Sequence, residues 1–312
     1  MGTAPRRCCA EIVFHPNARG AFFSIRPVYC TRGWRAIILA ELSRRLDEAV
    51  PARWAEPWDN TGLTVGDPAA DVTRVLVALE VTGEIIREAL ARDCSLILTH
   101  HPFPWRETRK YDLREPDPVL LAEVFRHGLN LYAAHTNLDA APFGHAATLA
   151  REFGMVNTKP LRISSPCANE LPSLPGESVG IGRVGEIEPV SAMALVEKTR
   201  RLLSLASYRL AGMPQNRVER LAVCPGSAGD YIGDAASAGA QLLIGGDFNH
   251  HQAAEALQRG LMLLDAGHYA TEKPAVDVLA RLCMDLAGGD GVEVYRAGQD
   301  RDPFYRSWNS FT

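Results

Sequence analysis

The stretch Arg74-Val-Leu-Val-Ala78…Glu84-Ile-Ile86…Ala89…Leu96-Ile-Leu98 lies without gaps over Arg220-Leu-Ala-Val-Cys224…Asp230-Tyr-Ile232…Ala235…Leu242-Leu-Ile244, at one constant offset that carries Arg74 onto Arg220. The match resumes at Ala122-Glu123…Gly128-Leu129-Asn-Leu131 over Ala254-Glu255…Gly260-Leu261-Met-Leu263, at a shorter offset that carries Ala122 onto Ala254. The difference between the two offsets is a longer loop in the first copy, after His101. Each copy reads strand, helix, strand, helix, strand. Short runs of Val, Leu and Ile without polar alternation point to parallel strands covered on both faces. The expected fold is therefore α/β, with two internally duplicated lobes and largely parallel sheets.

Ligands of such sheets collect at the carboxyl ends of the strands. Five residues of metal-binding type fall there: His100 and His101 after the second strand of the first copy, Asp139 after its third, and His268 with Glu272 after the third strand of the second. Neighbouring residues of a regular strand face opposite ways, so His100 and His101 reach one cavity only if the chain turns, which Pro102 favours. His268 and Glu272 have the i, i+4 spacing that puts two side chains on one face of a helical turn. Each piece has a plainer use: a buried histidine at a strand end, Asp139 as a helix cap, Glu272 beside a helix amino terminus. Three segments converging on one sheet edge favour metal over all of these. Mixed imidazole and carboxylate donors suit zinc, iron, manganese, nickel or cobalt. One catalytic zinc commonly takes three protein ligands, whereas two ions bridged by Glu272 use all five. His135, four residues before Asp139, is the candidate proton-transfer residue. Asp247 and His251 line the site or an interface, and His15, His127 and His145 are surface or structural.

At 312 residues and 46% hydrophobic, the chain can bury a substantial core. A net charge of −4 gives no general attraction to nucleic acid or an anionic membrane, and no apolar run approaches the length of a membrane span. Seven cysteines without a CxxC pair point to a reducing cytoplasm and against cysteine-bound zinc. Residues 1–35, with six arginines and one acid, read as a disordered extension. The expected division continues with a first lobe over 36–155, a connecting segment over 156–219 and a second repeat over 220–312. Gly180-x-Gly-x-x-Gly185 lacks a surrounding β-α-β unit and reads as a turn, not a dinucleotide site. Gly226-Ser-Ala-Gly229 reads equally as an anion loop or as a tight strand-to-helix turn.

Trp58-Asp-Asn-Thr-Gly-Leu63, Leu96-Ile-Leu-Thr-His-His-Pro102, His135-Thr-Asn-Leu-Asp139, Gly246-Asp-Phe-Asn-His-His251 and Asp265-Ala-Gly-His-Tyr-Ala-Thr-Glu272 together resemble the signature of the GTP cyclohydrolase 1 type 2 homologue family, the Ngg-interacting-factor-three-like dinuclear metal proteins. The resemblance runs in order from about residue 36 to the C-terminus. It implies two intertwined α/β lobes, a ring-shaped homohexamer, and two divalent metal ions per subunit facing the ring interior. By motif the implied ligands are His100, His101, Asp139, His268 and Glu272. The stretch 156–219 is too short for the domain some relatives insert, so the short form is expected.

Three departures stand out: Glu80 in Leu79-Glu-Val-Thr82 where the family has Asp, Asn249 where it has Lys, and Gly144-His-Ala-Ala147 where it has polar Asn/Asp residues. The activity implied by the resemblance is hydrolytic opening of the GTP guanine ring with release of formate. In that reading Arg106, Arg109 and Lys110 would meet a nucleotide or other phosphorylated small molecule. Interleaved acids make the same loop a plain solvated face. Two other functions use the same residues: a non-catalytic ring that binds, stores or delivers metal or serves as an interaction platform, and a metal-dependent phosphoesterase.

Overall fold

The apolar runs fold as parallel strands with both faces covered. The computed structural model describes residues 6–15, 22–30, 36–106, 109–163 and 179–304, the first two stretches by their backbone alone. The chain divides into two units, Met1–Leu138 with Ala275–Asp300 and Asp139–Pro274 with Arg301–Thr312.

Among the described residues of the first unit, a five-stranded sheet has the order Glu293–Arg296, Arg74–Ala78, Leu96–Thr99, Asn130–Ala133, Gly62–Val65. The first four are parallel and the last is antiparallel. Alternate side chains serve the two faces. Leu76, Ala78, Ile97 and Leu131 pack with Ile85, Ile86 and Ala89 of the helix Gly83–Ala91 and with Leu121 and Val124 of the helix Pro116–Arg126. Val75, Val77, Leu98 and Tyr132 are buried as well, and the Tyr132 hydroxyl donates at 2.6 Å to Asp47 Oδ1, on the helix Leu39–Ala49. Burying each such Leu, Ile or Val is worth about 1.5–3 kcal/mol, so both helical layers are held firmly.

The second unit has a six-stranded sheet in the order Arg209–Ala211, Met262–Asp265, Leu242–Gly246, Arg217–Ser227, Arg183–Ser191, Val156–Lys159. Its Arg217–Ser227, Leu242–Gly246 and Met262–Asp265 strands are parallel; the outer pairings are antiparallel. Leu221, Val223, Leu242, Ile244 and Leu264 pack with Leu195 and Val196 of the helix Ala192–Leu202 and with Ala150 and Phe153 of the helix His145–Phe153.

Strand registers repeat at the offsets seen in the sequence. Val75 pairs with Leu96 as Leu221 pairs with Leu242, at the offset that carries Arg74 onto Arg220. Leu96 pairs with Asn130 as Leu242 pairs with Met262, the third strands keeping the offset that carries Ala122 onto Ala254. Parallel-rich sheets in a mixed α/β fold are what the apolar runs required.

The division of the chain falls at other places than 155 and 219. The helix His145–Phe153 packs in the second unit, and the stretch read as a connector supplies three strands of that unit's six-stranded sheet, Val156–Lys159, Arg183–Ser191 and Arg209–Ala211. From Ala275 the chain rejoins the first unit, whose edge strand is Glu293–Arg296. Within the segment read as a disordered extension, Arg6–His15 and Phe22–Cys30 form an antiparallel pair. The glycine pattern at 180–185 is not a simple turn: Gly180 and Gly185 lie in strands, where a Cβ would sit 2.2 Å from Arg162 O and 2.7 Å from Val156 O. Among the described residues no helix is long and apolar enough to cross a membrane.

Candidate metal centre

In the first unit the parallel ladder runs past the strand Leu96–Thr99. His100 N donates to Ala78 O at 3.2 Å and His101 N to Leu79 O at 2.8 Å, so both residues are pinned to the neighbouring strand end. Thr99 Oγ1 then donates to His101 O at 2.7 Å and folds the chain over. The two imidazoles come together with centroids 5.4 Å apart, which resolves the opposite-face difficulty of adjacent strand residues. His135 joins them. One ring nitrogen from each of His100, His101 and His135 lies within 4.8 Å of the others. His100 is fully buried, and its Nδ1 lies 2.9 Å from Ala134 O, which fixes that nitrogen as the donor and Nε2 as the lone-pair side.

His135 Nδ1 is 2.9 Å from Asp59 Oδ1. Asp59 Oδ2 accepts from Thr136 N at 3.0 Å and from the Thr136 hydroxyl. Burial works against the charge on Asp59, yet the bonds from His135 and Thr136 hold its carboxyl below the usual range. Asp59 was not singled out in the sequence, although it sits inside the Trp58–Leu63 motif; its partner lies 76 residues away, beyond any local spacing rule. Glu80 comes alongside His101, with Oε2 at 4.0 Å from Nδ1, too far for a hydrogen bond.

In the second unit His268 and Glu272 open and close the helix His268–Glu272, with His268 Nε2 2.8 Å from Glu272 Oε2. His268 Nδ1 is 2.7 Å from Asp247 Oδ2. Burial opposes a charge on His268, but Glu272 and Asp247 outweigh it and push the imidazole up to about 9. Glycines let this turn approach the sheet. A Cβ on Gly226 would fall 2.1 Å from Glu272 Oε1, and one on Gly246 would fall 2.6 Å from His268 N. Gly226 has φ +71° and donates its N–H to Thr271 Oγ1 at 3.0 Å. Gly226 is thus accounted for by the seat of Glu272, and Gly229 by the Gln252 side chain, whose Nε2 would lie 2.1 Å from a Cβ there. Asp139 lies 3.4 Å from His145 Nε2 through Oδ1; His145, read as surface or structural, is fully buried.

The remaining candidates are more exposed. Arg106, Arg109 and Lys110 lie exposed on the loop after His101. His251 is exposed in the first turn of the helix His250–Gln258, its ring 5.5 Å from that of His250. Asp247 takes a left-handed φ of +59° and is the orienting partner of His268.

These donors fit divalent metal. Within the second unit a buried carboxylate rests in a cradle that a single Cβ would fill, next to an imidazole held between two carboxylates; within the first, three imidazoles gather nitrogen donors. Among the described residues the donor set is nitrogen and oxygen only: Cys94, Cys224 and Cys283 are free thiols, each raised by burial.

The model of the family described as Duf34/NIF3 (NGG1p interacting factor 3) matches residues 37–303. A GTP cyclohydrolase 1 type 2 homolog of Clostridium perfringens is 31% identical over 270 residues, covering 85% of this chain and 98% of the relative. One of Streptomyces coelicolor is 32% identical over 257 residues, covering 81% and 88%. A Bacillus cereus protein related to NIF3 has the same fold, with a TM-score of 0.79 at 20% identity over 87% of this chain and 99% of its own.

Proposed function

The chain belongs to the Duf34/NIF3 family, and on that footing we propose that it is a metal-dependent hydrolase holding two divalent ions through His100, His101, Asp139, His268 and Glu272. The observation that carries the reading is the His268 turn, where an imidazole between Asp247 and Glu272 and a glycine-seated carboxylate make a strong cation site. When bound, a pair of divalent ions would activate water as a nucleophile at neutral pH.

The chain's own residues do the rest. Asp59 orients His135 through Nδ1, so that Nε2 exchanges protons with the reacting groups. Asp247 positions His268 in the same way. Arg106, Arg109 and Lys110 would meet substrate phosphates. The substrate we favour is the one in the relatives' name, GTP: one water adds to C8 of guanine and opens the imidazole ring to a formamide, and a second water hydrolyses the formamide to release formate and leave the free amine. The assembly we propose is a homohexamer in the cytoplasm.

The test is protein reconstituted in turn with zinc, iron, manganese, nickel and cobalt, then incubated with GTP and a panel of phosphoesters, with formate and phosphate measured separately. Two ions per chain and formate from GTP are expected. Phosphate without formate would make the protein a phosphoesterase. Neither product from fully metallated protein would leave the non-catalytic metal-binding ring as the better reading.

A further inference from the structure

Two indoles flank the histidines of the first unit. Trp58 and Trp105 lie 5.9 Å apart by ring centroid, and the His135 ring is 5.9 Å from the first and 5.2 Å from the second. His101 is 6.3 Å from Trp105, edge to face. Both indoles are nonetheless open to solvent, Trp58 at 63% and Trp105 at 45% exposure. Large aromatic side chains left exposed beside buried polar groups signal a binding surface, since leaving them in water forgoes a substantial burial gain.

The segments that carry them are tied together. Asn60 Nδ2 donates to Pro104 O at 3.0 Å and Thr64 Oγ1 to Phe103 O at 2.7 Å, joining the Trp58 segment to the Trp105 loop. The two segments that carry the indoles are therefore joined before any ligand arrives, so part of the ordering cost is already met in the folded chain.

We propose that Trp58 and Trp105 form a stacking platform that receives a planar nitrogen heterocycle, such as a purine, and lays it beside His101 and His135. The polarised face of an indole favours flat, electron-poor rings and shows little preference among them. Stacking thus sets the class of ligand, while the adjacent imidazoles supply the polar contacts that orient it. Binding on the platform needs no metal; only the chemistry that would follow rests on the metal-dependent reading above.

The experiment is a titration of the full chain, metal-loaded and metal-free, with guanosine, adenosine and ribose 5-phosphate. Tryptophan fluorescence and calorimetry report affinity, and elemental analysis and light scattering report metal content and mass. Both purine nucleosides should quench fluorescence. Trp58→Ala and Trp105→Ala should each weaken them by about 5- to 150-fold, as expected for loss of one base stack, with Trp→Phe variants in between. Ribose 5-phosphate should respond to neither substitution.

Equal nucleoside affinity in wild type and both alanine variants overturns the platform, as does a wild type that binds no nucleoside. A variant that changes mass by light scattering also overturns it, because the indoles would then be a subunit contact. Metal content separates the two proposals: a wild type that binds no metal but keeps a tryptophan-dependent nucleoside affinity sinks the hydrolase reading alone.

Discussion

His135, just after the strand Asn130–Ala133, and His268, just after the strand Met262–Asp265, each present Nδ1 to a carboxylate, Asp59 at 2.9 Å and Asp247 at 2.7 Å. Each is followed four residues later by a second acid, Asp139 or Glu272. The surroundings differ. The side chains of His135 and Asp59 are 8% and 0% exposed, and Thr136 holds the remaining oxygen of Asp59. Those of His268 and Asp247 are 35% and 47% exposed, and Glu272 takes the other ring nitrogen of His268. A carboxylate with both oxygens engaged holds one imidazole in one orientation, which suits directed proton exchange. Two carboxylates around one imidazole concentrate negative charge, which suits a cation. One histidine–carboxylate device thus stands in two electrostatic settings, decided by what else touches it.

The largest effect should come from the acid that gives the second pair its character. Glu272→Gln should lose both ions, because it removes the shared charge while keeping the shape seated over Gly226. Asp139→Asn should mainly weaken one. Elemental analysis of the two proteins checks this, and equal retention would mean that the ligand assignment is wrong.

Next come the residues of the first pair. His135→Ala should retain both metals and lose turnover by about 10²–10⁴-fold, the usual worth of general acid–base catalysis. Asp59→Asn should follow in the same direction, because an amide can hold the ring only in the wrong tautomer or by a weaker bond. If His135→Ala instead empties the metal sites, His135 is a ligand and the contrast between the pairs collapses.

Much of this frame was legible in the sequence. Apolar runs repeated at two constant offsets predict strands whose registers repeat at those same offsets, because covering both faces of a sheet demands uninterrupted Val, Leu and Ile. His100, His101, His268 and Glu272 could be placed because strand ends and i, i+4 turns have local signatures. The stretch 156–219 misled because its strands do not carry such runs: Val156–Lys159 is exposed along its whole length, and Arg183–Ser191 mixes buried and exposed residues. The helix Ala192–Leu202 follows Arg183–Ser191 directly, and Ser191 caps it by accepting from Ala194 N at 3.2 Å. Asp59 and Trp58 are joined to His135 across a long separation in the chain, where no periodicity speaks.

Asp247→Asn sharpens the comparison from the other side. It should weaken metal by about 10–100-fold, the range for loss of an orienting partner, without emptying the site as Glu272→Gln does. Asp59→Asn should leave metal affinity nearly unchanged. A metal titration with a competing chelator measures both, and the reverse order would exchange the roles assigned to the two carboxylates.

The smallest effect should appear in the metal-free protein as a loss of stability toward alkaline pH that comes from His268 of the second pair. The imidazole of His268 rises from an ordinary value of 6.5 to about 9 on folding, because Glu272 and Asp247 outweigh its burial. A group whose pKa is raised by folding binds more protons in the native state, so stability falls as pH rises. The contribution should be fully present below about pH 6.5 and lost as pH passes through about 9, read as a drop of a few degrees in Tm; exposure of the pair keeps it modest. Asp247→Asn should flatten that drop, because one of the two carboxylates that hold the proton is gone. Metal should abolish it, since a cation at the ring nitrogen takes the proton's place. A wild-type Tm that stays flat from pH 6 to 10 without metal would mean that His268 is not held as a cation, and the electrostatic difference between the two pairs would fail.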